Sequence, residues 1–262
     1  MTSAYALVLL VSATLSAEAP RAKMLRFGGN PSRGILRNCS AGARPFDPPD
    51  PSRPTVVFVH GFNPAPHIVH FTMAERFAES LARRGGPPFN LLAWEWNAAT
   101  FDDPRPRVNS ANAVRQGQAL ALNLRQAGID PARTHLIGHS AGGMVVTSAA
   151  HVFAKSQGRP VAQLTLLDPA TFYHEVIFER LEAGALAPRV ENYWSPGPSA
   201  YGKEVQLAGV LNYRVVGTAS YGGVIFPLRS DHISIVGWYL GSVEDPGLSW
   251  GFNTSGLLYQ AR

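Results

Sequence analysis

The sequence predicts an α/β protein, a mainly parallel sheet with helices on both faces, and three observations carry that expectation. Continuous apolar runs recur along the chain, at residues 55–59, 91–96, 134–137 and 161–167. Unbroken rather than alternating apolarity marks strands buried on both faces, as parallel strands are. Stretches with apolar residues at helical spacing lie between these runs, the pattern of strands joined by crossover helices. Finally, residues 134–144 (Thr-His-Leu-Ile-Gly-His-Ser-Ala-Gly-Gly-Met) run from a short apolar strand through a glycine-flanked serine into residues 143–154, which are apolar on nearly all sides. A helix of that kind is buried against a sheet.

Length and composition agree. A chain of 262 residues with 45% apolar and 16% charged residues can bury a large core and falls in the globular class. Residues 1–19 read as a secretory signal: an apolar run at 4–15, then Ala17-Glu18-Ala19 as an A-x-A cleavage site. No Lys or Arg precedes the run and Pro20 follows the cut, so an uncleaved anchor or a start at Met24 are the alternatives. On this reading the protein is secreted or periplasmic. Residues 20–53, rich in Pro, Gly, Arg and Ser, read as a linker without core residues. Residues 54–262 are then the folded domain.

The net charge is +5, with Arg21, Lys23, Arg26, Arg33, Arg37, Arg44 and Arg53 crowded before the first core strand. No nucleic-acid recognition module accompanies it, so no nucleic-acid partner is expected. Attraction to anionic membrane surfaces or acidic substrates is equally compatible. Cys39 is the single cysteine, which excludes an intrachain disulfide. Asn38-Cys39-Ser40 and Asn253-Thr254-Ser255 match the glycosylation sequon.

Taken in order, residues 55–59 form the first core strand and end in His60-Gly61-Phe62. Phe71, Ala74, Phe77, Ala78 and Leu81 keep helical spacing over residues 70–84, and Gly85-Gly86-Pro87-Pro88 stops that helix. After the strand at 91–96, Val114, Gly117, Ala121 and Leu124 define a helix over 111–127 that Gly128 terminates. The strand–serine–helix stretch comes next, then an apolar strand ending at Asp168-Pro169. Residues 172–182 suit a short helix, a lid or a plain surface helix. Residues 189–194 and 212–216 suit two further strands, and Ser230-Asp231-His232 opens a last helix.

Gly138-His139-Ser140-Ala141-Gly142 fits the G-x-S-x-G nucleophile elbow, in which a strand ends in a tight turn and a helix begins at once. In open α/β sheets, functional residues gather beyond the carboxyl ends of the strands. Ser140, Asp168 and His232 all fall there. A serine hydroxyl needs a base, which His232 can supply near neutral pH. Asp168 would hold the other imidazole nitrogen, fixing the tautomer and stabilising the imidazolium. The backbone N–H groups of Phe62 and Ala141 stand where an oxyanion hole needs them. Pro169 would favour an extended backbone at Asp168.

These residues carry a family resemblance. VFVHGF at 57–62, LLAWEW at 91–96, IDPARTHLIGHSAGG at 129–143 and LTLLDPA at 164–170 resemble the α/β-hydrolase superfamily, and within it the pancreatic-type (lipoprotein-lipase-like) lipases. The resemblance implies an α/β-hydrolase fold and a serine lipase or esterase acting on ester or lipid substrates, with transient contact to a lipid surface. It places the triad acid after the strand that follows the elbow helix, which is Asp168. It implies no metal and no cofactor. The family's disulfides cannot form with one cysteine, and its C-terminal β-sandwich has no counterpart in the thirty residues after His232. Those departures bear on lipid-interface binding, partner proteins and long triglycerides rather than on hydrolysis. Oligomeric state is not legible. The alternatives are another acyl hydrolase on the same triad, such as a thioesterase, amidase or peptidase, and a non-catalytic binding protein on the same fold.

The other notable residues take structural readings. His60 shapes the loop after the first strand, and His139 is packed or hydrogen-bonded within the elbow. His67 and His70 have a metal pair's spacing but no completing ligand. Trp94, Trp96 and Trp194 are packing residues, and Asp231 is an exposed loop acid.

Overall fold

The computed structural model describes residues 34–62, 71–85, 88–96, 106–197, 201–217 and 231–260. The signal and the first part of the linker, His67 and His70 lie outside them. Seven strands form one sheet: β1 (Ile35–Asn38), β2 (Thr55–Val59), β3 (Asn90–Glu95), β4 (Thr134–His139), β5 (Gln163–Leu167), β6 (Val190–Trp194) and β7 (Val210–Arg214). Their order is β1-β3-β2-β4-β5-β6-β7. All pairs are parallel except β1 with β3. This is the α/β-hydrolase fold.

The strand order explains where a site can form. From β2 the chain crosses to β3 on one side, then returns to place β4 on the other. The connections diverge between β2 and β4, and in open α/β sheets ligands bind beyond the carboxyl ends at such a point. The segment 60–62 leaves the end of β2, and Ser140 leaves the end of β4.

The helices are α1 (Phe71–Arg84), α2 (Pro106–Gln126), α3 (Gly142–Gln157), α4 (Thr171–Arg180), α5 (Asp231–Glu244) and α6 (Leu257–Gln260). Strand periodicity divides the core in two. Val57, Val59, Leu136, Leu164 and Leu166 face Leu120 and Leu124 of α2, Met144 and Val145 of α3, and Phe178 of α4. Val56, Phe58, Ile137 and Leu167 face Phe77 of α1 and Ile235, Val236 and Tyr239 of α5. Burying each such aliphatic or aromatic side chain is worth about 1.5–3 kcal/mol, so packing against the helices on both faces holds these short strands in place.

One sequence expectation needs correction. Residues 34–53 are not a linker: Ile35–Asn38 forms β1, which pairs antiparallel with β3 along Ile35↔Glu95 to Asn38↔Leu92. Leu36 is buried, Arg37 pairs with Glu95 at 2.9 Å, and the Cys39 N–H donates to the Leu91 carbonyl at 2.7 Å. A four-residue edge strand buries few side chains, so its apolar signal is lost among neighbouring prolines and arginines. The asparagines of the two sequon matches, Asn38 and Asn253, are both buried and donate their amides to the Asp47 and Asp245 carbonyls.

The C-terminal segment is tied beneath the sheet by buried polar groups. Glu191 is fully buried and accepts from Arg189 at 2.6 Å, Gln163 at 2.9 Å and Thr254 at 2.9 Å. His135 contacts Thr165 at 2.8 Å and Ser255 at 3.2 Å, and burial together with the Arg189 charge pushes its pKa down to about 3. Every member has a partner, so the network holds the C-terminus without an orphaned charge.

Candidate active site

The serine is presented by a strained turn. Ser140 has φ of 55°, in the left-handed region that costs a non-glycine residue about 1–3 kcal/mol. Hydrogen bonds on both sides hold it there. The Ser140 N–H donates to the Leu167 carbonyl at 3.0 Å, and its own carbonyl accepts from Gly143 at 3.0 Å and Ala170 at 3.3 Å. Gly142 allows the turn to press on β2, since a Cβ there would lie 2.4 Å from the Val59 carbonyl oxygen. Gly61 does the same from the other side, its Cβ position being 2.6 Å from Ser140 Cβ. The 60–62 loop therefore runs directly beside the serine.

That loop is fixed by its histidine. The Trp96 N–H donates to His60 Nε2 at 3.2 Å, so the proton sits on Nδ1, which donates to the Gly61 carbonyl at 2.7 Å. The Trp96 indole N–H donates to the His60 carbonyl at 2.9 Å. His60 shapes the loop, and Trp94 and Trp96 are buried packing residues. Phe62 follows with its side chain partly exposed, and Ala141 stands at the N-cap of α3. A helix N-terminus favours negative charge, which suits the Ala141 N–H to an oxyanion, whereas Phe62 lies in the segment after β2.

Asp168 is fully buried at the end of β5. Its carboxylate accepts from His232 Nδ1 at 2.5 Å, from the Tyr201 N–H at 2.9 Å and from the Ser195 N–H at 3.2 Å. Burial alone would raise its pKa; His232 and the two amides outweigh it and hold the carboxyl below its ordinary value. The extended backbone expected from Pro169 is not found, because Asp168 has φ of 40°. All three donors stand on the β6–β7 and α5 side, and turning the carboxylate toward them outweighs the local cost.

His232 lies in the first turn of α5 with its side chain 13% exposed. Tyr201 packs edge-on against its ring, with centroids 4.6 Å apart, and is itself half exposed. His139 Nε2 lies 2.6 Å from the His232 carbonyl oxygen. Asp168 and His232 are thus in direct contact. Ser140 adjoins them through His139, and no hydrogen bond joins its Oγ to His232 among the described residues.

Other acids stand apart. Glu191 belongs to the buried network under the sheet, and Asp231 is not a loop acid but the first residue of α5, lying against Gly197. α4 is anchored by the fully buried Phe178, with Val176 facing outward. Among the described residues, no group of three His, Cys, Asp or Glu side chains is placed to hold a metal ion. The residues that sequence reasoning missed are Ser195 and Tyr201, which contribute backbone amides. A backbone N–H has no residue signature; only Gly197 and Gly202 hinted at a tightly packed loop.

No protein-family model matches the chain, and no curated protein shows a match to it. Solved structures that resemble it are distant. An esterase from Pyrobaculum calidifontis is 15% identical over 80% of this chain and 83% of its own, with a TM-score of 0.42. Esterase PE8 is 15% identical over 70% and 87%, with a TM-score of 0.46. The RedJ thioesterase from the prodiginine biosynthetic pathway in Streptomyces coelicolor is 15% identical over 66% and 81%, with a TM-score of 0.40.

Proposed function

We propose that the protein is a serine hydrolase of the lipase/esterase type, cleaving carboxylic esters through an acyl-enzyme on Ser140. The observation that carries this is the buried Asp168 carboxylate bonded to His232 Nδ1 at 2.5 Å, on the same sheet end as the strained Ser140 turn.

With Asp168 accepting the Nδ1 proton, His232 Nε2 is left as the base. It takes the Ser140 Oγ proton as the oxygen attacks the ester carbonyl. The Phe62 and Ala141 N–H groups receive the oxyanion, and collapse expels the alcohol with the proton returned by imidazolium. Water, deprotonated by the same imidazole, then releases the acid. Catalytic hydrogen bonds in a free enzyme are often long and tighten around substrate, so the serine–histidine bond belongs to the bound state.

The finer reading follows the sequence: a member of the pancreatic-type lipase family, exported by its N-terminal signal and touching lipid surfaces transiently. The test of the core proposal is a fluorophosphonate probe. It should label the protein once, at Ser140, and Ser140→Ala should abolish labelling and ester hydrolysis with the fold intact. Labelling that survives in Ser140→Ala would overturn the mechanism. Profiling p-nitrophenyl esters of rising chain length then separates esterase from lipase.

A further inference from the structure

The two histidines of the site meet in a way that serine chemistry does not itself demand. His139 Nε2 lies 2.6 Å from the backbone carbonyl oxygen of His232. A carbonyl only accepts, so Nε2 carries the proton and His139 is the donor. The imidazoles also pack, with centroids 4.6 Å apart and planes tilted by 37°.

The two partners differ in how firmly they are held. His139 is the last residue of β4, in register with Leu167 of β5 near the middle of the sheet, and is buried. His232 stands in the first turn of α5, and helix ends are where a helix frays. Asp168 and Tyr201 act on the imidazole ring of His232. His139 packs against that ring too, and is the one of the three that also bonds the backbone carrying it.

We propose that His139 is a positioning residue: it ties the first turn of α5 to the end of β4 and so sets where the His232 ring stands. The inference rests on reading Ser140, Asp168 and His232 as the hydrolytic site. Because Ser140 follows His139 directly, one rigid dipeptide carries both the nucleophile and the tether of its base. Any drift of α5 relative to the elbow is opposed at the point where it would separate the two.

The test compares His139→Gln, whose amide can donate from near the Nε2 position, with His139→Leu, which fills space without a donor. Two readouts are taken: kcat and KM on a short-chain p-nitrophenyl ester, and the far-downfield NMR resonance of the proton shared by His232 and Asp168. Misplacing a catalytic group by about 1 Å costs on the order of 10²-fold, so His139→Leu should lose about that much kcat with KM within about threefold. Its downfield resonance should broaden or vanish. His139→Gln should keep the resonance and return kcat to within about tenfold of wild type. If His139→Leu does not fold, His139→Asn, whose amide stops short of the carbonyl, takes its place with the same expected loss. Unchanged kcat and resonance in the donorless variant, or a His139→Gln as impaired as His139→Leu, would overturn the inference. A wild-type protein that neither hydrolyses the ester nor is labelled at Ser140 would instead overturn the hydrolase reading. The resonance still decides the tether in that case: its survival without a donor refutes it, and its loss in His139→Leu with return in His139→Gln supports it.

Discussion

Replacing Gly202 by alanine probes how the acid of the site is held. A Cβ at 202 would stand 2.5 Å from Asp168 Oδ1, 2.9 Å from its Cα and 3.1 Å from its carbonyl carbon, where ordinary contact begins at 3.4 Å. Relief therefore needs movement of about 0.9 Å at the carboxylate and about 0.5 Å at the Cα, in an interior packed too densely to absorb it freely. Asp168 cannot swing aside, because it is fully buried and its carboxylate is committed to three donors. The neighbouring Tyr201 N–H is one of them, so retreat of the loop pulls on the same carboxylate. Either way the Asp168–His232 pair shifts by a large fraction of an ångström. A displacement of about 1 Å costs on the order of 10²-fold, which puts the expected fall in kcat at roughly 10- to 100-fold. Overpacking should also cost about 1–3 kcal/mol of stability. The assay is ester hydrolysis well below the melting temperature, with urea melts to register the stability change. Gly256→Ala is the control, since a Cβ there meets nothing within 4 Å. Gly202→Ala with kcat within twofold of wild type would refute the argument that this loop sets the acid's position.

Two further outcomes follow from the buried titratable groups. Asp168→Asn should lower kcat by roughly 10⁴-fold, because an amide aimed at Nδ1 favours the wrong tautomer, whereas Asp231→Asn should stay within about tenfold; the reverse ranking in the same ester assay would move the acid elsewhere. His135 has its folded pKa lowered from 6.5 to about 3, so the unfolded chain binds more protons between those values and the protein loses stability as pH falls through that window. From pH 6.5 to pH 5 the loss should be about 1.6 kcal/mol, and urea melts of His135→Gln should show a pH dependence smaller by about that amount. Equal pH dependence in the two proteins would mean that His135 takes up protons in the fold as readily as in the unfolded chain.

Much of the fold was legible because its signal is local. Val56, Val57, Phe58 and Val59 are a continuous apolar run whichever strands flank them, and the small residues around Ser140 announce a turn that only small residues tolerate. β1 was not legible, since Ile35–Asn38 is held by pairing with β3 rather than by burying a run of its own. Asp168 was placed correctly at its strand end, yet its φ of 40° was not foreseen, because the donors that draw it over come from residues 27 to 64 positions away.

The sequence by itself determined which side chains are proposed to carry chemistry and in what order: Ser140, Asp168 and His232, each at the end or start of an element whose periodicity could be read. Residue type and spacing are local properties, and they suffice for that. Tertiary structure alone decided how those groups are held. The Tyr201 and Ser195 amides on Asp168, the Gly61 approach to Ser140 and the His139 tether on the His232 carbonyl each use backbone atoms or close contacts. Every residue but proline offers the same N–H, and every residue the same carbonyl, so only the path of the folded chain selects which of them reach the site.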